Sequence, residues 1–320
     1  ITKDVEDSRA KRITAYLNLL ADILEDQFAQ LQKSPFVPGS EITRYFSLLP
    51  DGDLSATYKK MLAMPDGEAK TNLQGQLRTS IRPGAIECNI MTKLDRDIYK
   101  DGEMLPHKFA DAMSALRGFA QSRVRGNIVF SAGLNAKLYS YIPEFEDFFP
   151  NEKGQCVKRV TLKVSDYRSA LVQGRFLAKK GVWISEYRIE SGLNCGGHAF
   201  ATRGFLSGPI LEEFRTQRHE LIDALWPIYQ GALRSSGKVV PQTVMPTIIT
   251  AQGGIGNNQE AQLLLDYYGL DRTGWGTPFL FVPEVTNLDA ESMAIVKAAT
   301  EKESFLSESS PLGVPYWNIR

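Results

Sequence analysis

The sequence predicts an α/β protein with a parallel sheet, preceded by a helical segment. From residue 85 onward, short apolar runs rich in β-forming residues alternate with helical stretches, and strands that alternate with helices indicate βαβ units. The runs are mostly apolar rather than strictly alternating, which is typical of parallel strands buried on both faces. These patterns predict a parallel sheet and leave open whether it is closed into a barrel.

Six runs are predicted to form the strands of this sheet: residues 85–91, 127–133, 159–165, 182–189, 246–251 and 278–283. Apolar residues at helical spacing predict helices between them, over residues 167–180, 210–233 and 258–268. Pro227 lies inside the second helix, and we expect a kink there because proline lacks the donor for a helical hydrogen bond.

A long amphipathic helix is predicted over residues 8–33, where apolar residues recur on one face and charged residues occupy the other. The stretch SPFVPG at residues 34–39 ends this helix. Between residues 35 and 80, short helical pieces are separated by proline and glycine, and no clear strand occurs. Residues 1–80 are therefore predicted to be mainly helical.

The composition is that of an ordinary soluble protein, with 320 residues, 43% hydrophobic and 23% charged. Lys+Arg and Asp+Glu balance at 37 each, so we expect neither nucleic acid nor a membrane as partner, and a small molecule as substrate. The three cysteines form no C-x-x-C pattern, which argues against a disulfide framework or a zinc site. A reducing cytoplasm is the expected location.

Small and polar residues fall at or after the predicted strand ends. Asn89 comes late in the first run, Gly133 and Ser165 follow the second and third, and glycines follow the fourth and fifth. In α/β barrels the loops beyond the carboxyl ends of the strands build the active site. A single site at one rim of the sheet would explain the whole pattern.

A phosphate site is predicted at the strand, turn and helix of TAQGGIGNNQEAQLLL, residues 250–265. Gly253, Gly254 and Gly256 allow close approach of an anion to the backbone, and the following helix offers free N–H donors at its N-terminus. Gly276 and Thr277 would complete the site from the next loop. The alternative is a tight turn without a ligand, and the segment is no P-loop because no Lys-Ser/Thr follows it.

His198 is the predicted proton-transfer residue, at the end of GLNCGGHAF (residues 192–200). Gly192, Gly196 and Gly197 have no side chains and leave the backbone beside it accessible. A neutral imidazole suits proton transfer near pH 7. The alternative is a structural histidine whose ring forms its hydrogen bonds within a turn. Cys195 is read as a small buried residue, since no partner that would activate it is visible.

Lys163 is unusual because it lies within an apolar strand. It is predicted either to neutralise a phosphate or anionic ring, or to extend its amino group to the rim of the sheet. No cluster of histidine, cysteine and carboxylate residues has the spacing of metal ligands, so no metal is predicted.

Several segments, in order, resemble the FMN-dependent nitronate monooxygenases, formerly called 2-nitropropane dioxygenases, which have flavin enoyl reductases as relatives. VTLKVSDYRSAL is similar to the V-x-S-x-x-x-A pattern of that family, SGLNCGGHAF to G-x-E-A-G-G-H, and PTIITAQGGIGNNQEA to P-x-I-A-A-G-G-I. GWGTPFLFVPE resembles G-T-x-F-L, and ECNIM resembles G-V-N-L. SPLGVP, near the end of the chain, also resembles the family. The resemblance covers about residues 85–320. Asn194 and Cys195 depart from it, because the family has Glu-Ala there.

The resemblance implies a (β/α)8 TIM-barrel, of which six of the eight strands are visible in this chain, with FMN as cofactor. It implies His198 as the base that abstracts an acidic C–H proton, after which electrons pass to flavin and then to oxygen. The two missing strands would precede Ile1 or come from elsewhere. The expected protein partner is accordingly either a second copy in a homo-oligomer or a missing N-terminal piece of the same protein. The predicted cofactor-binding residues are Asn89, Lys163, Gly192, Gly196, Gly197, Gly253, Gly254, Gly256, Gly276 and Thr277.

Two domains follow from this interpretation: residues 1–80 as a helical segment packing on the barrel, and residues 81–320 as the barrel with a helical insertion at about 199–245. Two alternatives stay open. One is an NAD(P)H-dependent reductase of an unsaturated acyl substrate, similar to flavin enoyl reductases, in which His198 donates a proton. The other is a barrel that binds flavin or phosphate and acts only as an assembly module.

Overall fold

A computed structural model describes most of the chain. The described residues are 1–2, 4–90, 95–190, 207–253, 255, 257–275, 288–300, 302–307 and 316–319. They form two compact units. The first comprises residues 1–86 and 117–126, and the second comprises residues 87–116 and 127–320.

Four helices make up most of the first unit: α1 (Ser8–Lys33), α2 (Glu41–Ser47), α3 (Asp53–Leu62) and α4 (Glu68–Ser80). The predicted helix over residues 8–33 is confirmed as α1. It begins and ends where the sequence pattern does: Ala10, Leu17 and Ala21 along it are buried, and SPFVPG cannot continue a helix. Helices α2 to α4 enclose a core of Ile42, Phe46, Tyr58, Met61, Leu77 and Ile81.

Helix α1 is held against residues 117–126 of the same unit by close contact at a glycine. The Thr14 hydroxyl donates to the carbonyl of Gly118 over 2.9 Å, and a Cβ added at Gly118 would lie 2.8 Å from the carbonyl oxygen of Ala10. Arg117 forms an ion pair with Asp7, just before the helix. The absence of a side chain at position 118 therefore permits this packing.

A six-stranded sheet dominates the second unit. Its strands, in spatial order, are β1 (Glu87–Ile90), β4 (Asn127–Phe130), β5 (Arg159–Val164), β6 (Ile184–Glu190), β7 (Ile248–Gln252) and β8 (Arg272–Gly274). All neighbouring pairs are parallel. The spatial order of these strands is the same as their order in the sequence, because each strand pairs with the preceding strand of the sheet. The first five strands confirm the predicted runs.

The predicted (β/α)8 barrel is wrong. In the described part of the chain β1 and β8 each have one partner, so the sheet is an open half-barrel with two free edges. Closing a barrel requires a further set of strands with matching stagger, and the residues before β1 form helices instead. The sixth predicted strand, residues 278–283, lies outside the described residues, whereas β8 was not predicted because only three residues form it.

The remaining helices are α5 (Asp111–Gln121), α6 (Ala136–Tyr141), α7 (Tyr167–Ala178), α8 (Ser207–Ser235), α9 (Asn258–Gln262) and α10 (Ala290–Ala298). Two small antiparallel pairs complete the unit: β2 (Tyr99–Lys100) with β3 (Glu103–Met104), and β9 (Ser304–Ser307) with β10 (Tyr316–Ile319). The predicted helices over 167–180 and 210–233 are confirmed as α7 and α8, and α8 continues through Pro227. Helix α9 continues into a π-helical turn, Leu263–Tyr267, and the two together confirm the predicted helix over residues 258–268.

One face of the sheet is apolar and packs on helices. Phe130 and Tyr187 are 2% and 1% exposed. The Phe130 ring lies 5.2 Å from that of Tyr139 on α6, and the Tyr187 hydroxyl lies close to Gly174 on α7. Rings of Tyr167 and Phe214, 5.6 Å apart, join α7 to α8.

No described helix is long and apolar enough to cross a bilayer.

Candidate functional site at the polar face of the sheet

The second face of the sheet is polar. Side chains alternate between faces along a strand, and the strand registers bring the polar positions of neighbouring strands together. The polar residues on this face are Glu87, Asn89, Asn127, Arg159, Thr161, Lys163, Glu186, Arg188, Glu190, Thr250 and Gln252, and the apolar Val129 and Ile248 lie among them. Most of these groups are buried although they are charged or polar, and buried polar groups require partners.

A lysine, a carboxylate and an amide meet at the carboxyl ends of three neighbouring strands. The Lys163 ammonium on β5 lies 3.2 Å from Glu190 Oε1 at the end of β6, and the two side chains are 10% and 7% exposed. The Gln252 amide at the end of β7 donates to the same carboxylate oxygen. The register places Gln252 directly opposite Glu190. This Lys163–Glu190–Gln252 cluster lies at the edge where parallel sheets usually bind ligands.

A second network lies one step further from that edge. Arg188 donates to Glu186 Oε1 and to Glu87 Oε2, each over 2.8 Å. Burial opposes the charge of Arg188, but the hydrogen bonds and charges of the two glutamates outweigh it and raise the pKa of the guanidinium. Arg188 therefore stays charged and links β6 to β1.

Two neutral side chains and Arg159 continue the network across β4 and β5. Asn127 Nδ2 donates to Thr161 Oγ1 over 2.8 Å, and Thr161 donates to Glu186 Oε2 over 3.3 Å. Arg159 donates to Asn127 Oδ1 over 3.0 Å. The buried carboxylate of Glu186, 1% exposed, thus has partners on both oxygens, which offsets the cost of its desolvation.

One hydroxyl on the polar face has no partner. Thr250 is 4% exposed, and its Oγ1 has no hydrogen bond in the described structure. The register places it opposite Arg188 and Arg272. An unsatisfied buried hydroxyl is costly and marks a point where a ligand or water would be stabilised.

Gly253, the residue directly after β7, has a backbone conformation that a side chain would strain. Gly253 has φ of 81°, a conformation that favours glycine, and its N–H donates to the Gly274 carbonyl over 3.3 Å. Asn257 Oδ1 accepts from the Glu260 N–H over 3.0 Å and caps α9. In the sequence, five residues separate the end of β7 from the start of α9.

Of the predicted site residues, the structure describes Asn89, Lys163 and Gly253. Lys163 and Gly253 lie at the carboxyl edge, beside Glu190 and just after Gln252 respectively. Asn89 lies on the same face but on edge strand β1, where it is exposed. The remaining predicted residues lie outside the described part of the chain: Gly192, Gly196, Gly197, His198, Gly254, Gly256, Gly276 and Thr277.

The polar partners on β6 were not predicted. The run was interpreted as an apolar strand, although Glu186, Arg188 and Glu190 alternate with Tyr187 and Ile189. Period-two alternation of charged and apolar residues is the signal of a strand with one polar face, and it would have identified these three residues. Gln252 has no comparable signal, because its role depends on the register of β7 against β6.

The free thiols of Cys88 and Cys156 have no role in this site. Burial raises the pKa of each to about 11, against the opposing charge of Lys158 near Cys88 and of Arg159 near Cys156. Both therefore stay protonated and weakly nucleophilic near neutral pH. Among the described residues, no group of three His, Cys, Asp or Glu could hold a metal ion.

No protein-family model matches the chain, and no curated protein matches it. Among solved structures, the fold is similar to that of the enoyl reductase domain of MlnA from the macrolactin biosynthesis cluster of Bacillus amyloliquefaciens. The sequence identity is 12%, and the TM-score is 0.45 over 78% of this chain. The chain spans about half of that structure, 54%. The prediction of FMN is corrected: it depended on a closed barrel with phosphate-binding loops after a seventh and eighth strand, and the described sheet is open.

Proposed function

We propose that the chain is an oxidoreductase of the enoyl-reductase type, which uses NAD(P)H to reduce the carbon–carbon double bond of an unsaturated acyl substrate. The observation that supports this most is the buried Lys163–Glu190–Gln252 cluster at the carboxyl edge of the sheet, directly before the glycine turn. A buried charge cluster at this edge is typical of a functional site.

The residues present fit a nicotinamide dinucleotide. Its diphosphate is an anion, and the turn that begins at Gly253 leads into the N-terminus of α9, where free N–H donors favour anions. The Thr250 hydroxyl, buried without a partner on the same strand, offers a further polar contact. When bound, NAD(P)H supplies the hydride that saturates the β-carbon of the substrate.

Lys163 is proposed to stabilise the substrate carbonyl. Negative charge would develop on that oxygen during the reduction, and a preorganised ammonium in a site of low dielectric would stabilise such charge. Glu190 and Gln252 hold the lysine in place, since the amide donates to the carboxylate that the ammonium contacts.

His198 is proposed to deliver the proton. It follows Glu190, the last residue of β6, by eight positions in the sequence, and an imidazole donates protons near neutral pH. With the nucleotide bound, its hydride would go to the β-carbon and the proton from His198 to the α-carbon, so that reduction of the double bond would be balanced by oxidation of the nicotinamide.

A turnover assay tests this proposal. Purified chain is mixed with NADH or NADPH and the but-2-enoyl thioester of N-acetylcysteamine, and both nicotinamide absorbance and the mass of the saturated product are followed. We expect turnover with the wild type and a loss of roughly 100-fold or more in the Lys163→Met variant. The double variant Lys163→Met with Glu190→Gln is expected to be folded and equally inactive.

Lys153→Met is the matched control, because Lys153 is an exposed lysine in a loop and its loss is expected to leave turnover unchanged. Absence of turnover with both nucleotides would refute the proposed activity. Full activity in Lys163→Met would refute the role of the lysine.

A further inference from the structure

Helix α1 carries an apolar stripe that faces solvent. Its buried positions, Ala10, Leu17 and Ala21, are at most 8% exposed. Tyr16, Leu19 and Ile23 are 60%, 54% and 43% exposed. Leu17 and Leu19 lie about 200° apart around the helix axis, so the exposed side chains form a second stripe opposite the buried one.

Charged residues of opposite sign end this stripe. Arg12 and Asp26 continue the spacing of three and four residues, and both are exposed. Arg12 donates to the carbonyl of Ile1 over 3.3 Å, and Asp26 forms no ion pair with any residue that the structure describes. The exposed stripe therefore consists of Arg12, Tyr16, Leu19, Ile23 and Asp26.

The exposed stripe is complementary to itself when two copies run antiparallel. Arg12 and Asp26 lie equally far before and after Leu19. A two-fold axis at Leu19 would place Arg12 of one copy opposite Asp26 of the other, twice over, with the apolar side chains between the two pairs. A parallel arrangement would oppose like charges, which is unfavourable.

We propose that α1 pairs with α1 of a second copy of the chain in this antiparallel, two-fold arrangement. Spacing of three and four residues along one face is the pattern of helices that pack in a coiled coil, and a two-fold interface uses the same patch on both partners. The charge symmetry about Leu19 favours a second copy over an unrelated protein, for which no such symmetry is needed. This inference is independent of the proposed activity.

Sedimentation equilibrium of the full chain tests the proposal. We expect the wild type to show twice the chain mass in the micromolar range. Leu19→Asp brings two carboxylates together at the axis and is expected to give the mass of a single chain. Leu62→Asp is the matched control, since Leu62 on α3 is 55% exposed but lies off the stripe, and it is expected to stay dimeric. Circular dichroism shows that each variant is folded.

Charge reversal provides a test with rescue. Arg12→Asp alone and Asp26→Arg alone each oppose like charges and are expected to weaken the dimer by tenfold or more, whereas the double variant restores the complementary pairs and the dimer. A wild type that stays monomeric across the micromolar range would overturn the proposal. So would a Leu19→Asp variant that remains dimeric, or a double reversal that fails to restore association.

Discussion

At the scale of single residues, Lys163 and Glu190 depend on each other. Both side chains are nearly enclosed, and their charges lie 3.2 Å apart. Removing one charge from such a pair leaves the other buried without compensation, which costs far more than the pair contributes as a whole. The energetic role of Lys163 is therefore best measured by removing it with and without its partner.

Lys163→Met is expected to lower the free energy of unfolding by about 3–5 kcal/mol, because Glu190 stays buried without its cation. Urea denaturation followed by circular dichroism measures this change. Adding Glu190→Gln is expected to recover most of the loss. Lys59→Met, which removes an exposed lysine paired with Asp51, is expected to have no measurable effect. A Lys163→Met variant as stable as the wild type would show that the pair is not buried in solution.

The two buried thiols predict a pH dependence of stability. The folded-state pKa of Cys88 and of Cys156 is about 11, against a usual value of 9.0. A raised pKa stabilises the folded state fully below about pH 9, and this contribution is lost as pH rises through about 11. We expect unfolding free energy to fall over that interval, and to fall less steeply in Cys156→Ala, as measured by denaturation at each pH.

Alkylation by iodoacetamide checks the same property. In a Cys195→Ser background, which removes the third thiol, the native chain is expected to react much more slowly at pH 9 than the denatured chain, because only the thiolate reacts. Equal alkylation rates in the native and denatured chain would mean that burial does not raise the pKa of the thiols.

The sequence predicted the candidate site only in part at this scale. Lys163 stood out because a lysine inside an apolar strand is unusual, and Gly253 because glycines cluster after β7. Glu190 and Gln252 did not, since their contact with Lys163 follows from the register of β5, β6 and β7. Register is set by packing across the whole sheet, so no local pattern reveals it.

At the scale of elements, the packing of α7 on the sheet depends on Gly174. A Cβ at this position would lie 2.4 Å from the Tyr187 hydroxyl and 2.8 Å from Leu225 Cδ1 on α8. Tyr187 is itself buried, and burial raises the pKa of its phenol, so the ring stays neutral. The glycine thus allows α7 to lie close to both β6 and α8.

Gly174→Ala is expected to destabilise the chain by about 1–3 kcal/mol, because overpacking outweighs the better helix propensity of alanine. Thermal unfolding measures the difference. Gly231→Ala on α8 is the matched control: nothing lies within 4 Å of an added Cβ, so a gain of up to about 1 kcal/mol is expected from helix propensity alone. Equal effects of the two substitutions would contradict the packing described for α7.

Elements with strong local signals were predicted well, and those decided by tertiary context were not. Helix α1 was predicted at both ends, since amphipathic spacing and helix-stopping residues are local. Strand β8 was missed because three residues carry no periodicity. The polar face was missed because strands of a parallel sheet were expected to be apolar on both sides, whereas β6 alternates.

At the scale of the whole chain, closure of the sheet was the property least accessible from sequence. Six parallel strands in sequential order suit an open half-barrel and part of a closed barrel equally well. What distinguishes the two is whether the first and last strands acquire partners, and in the described structure β1 and β8 have none beyond their neighbours in the sheet. The prediction of FMN depended on a closed barrel and was wrong for the same reason.

Nucleotide binding is expected to stabilise the folded chain. A ligand that binds only the folded state at 100 times its dissociation constant adds about 2.7 kcal/mol to the free energy of unfolding. Denaturation with and without NADPH measures this shift. Adenosine alone, which lacks the diphosphate, is expected to stabilise much less, and an equal shift with adenosine would contradict a phosphate site at the turn after β7.

The central claim is that the carboxyl edge of the sheet, beside Lys163 and the turn at Gly253, binds NAD(P)H. Calorimetric titration of NADPH into the chain tests it most directly, with Gly253→Val as the probe, since a β-branched residue is disfavoured at φ of 81°. Gly269→Val is the control, because its φ of 63° imposes similar strain away from the edge. We predict one nucleotide per chain, an affinity reduced by tenfold or more in Gly253→Val, and wild-type affinity in Gly269→Val. The absence of binding heat with wild type, or equal affinities in all three proteins, would contradict the claim.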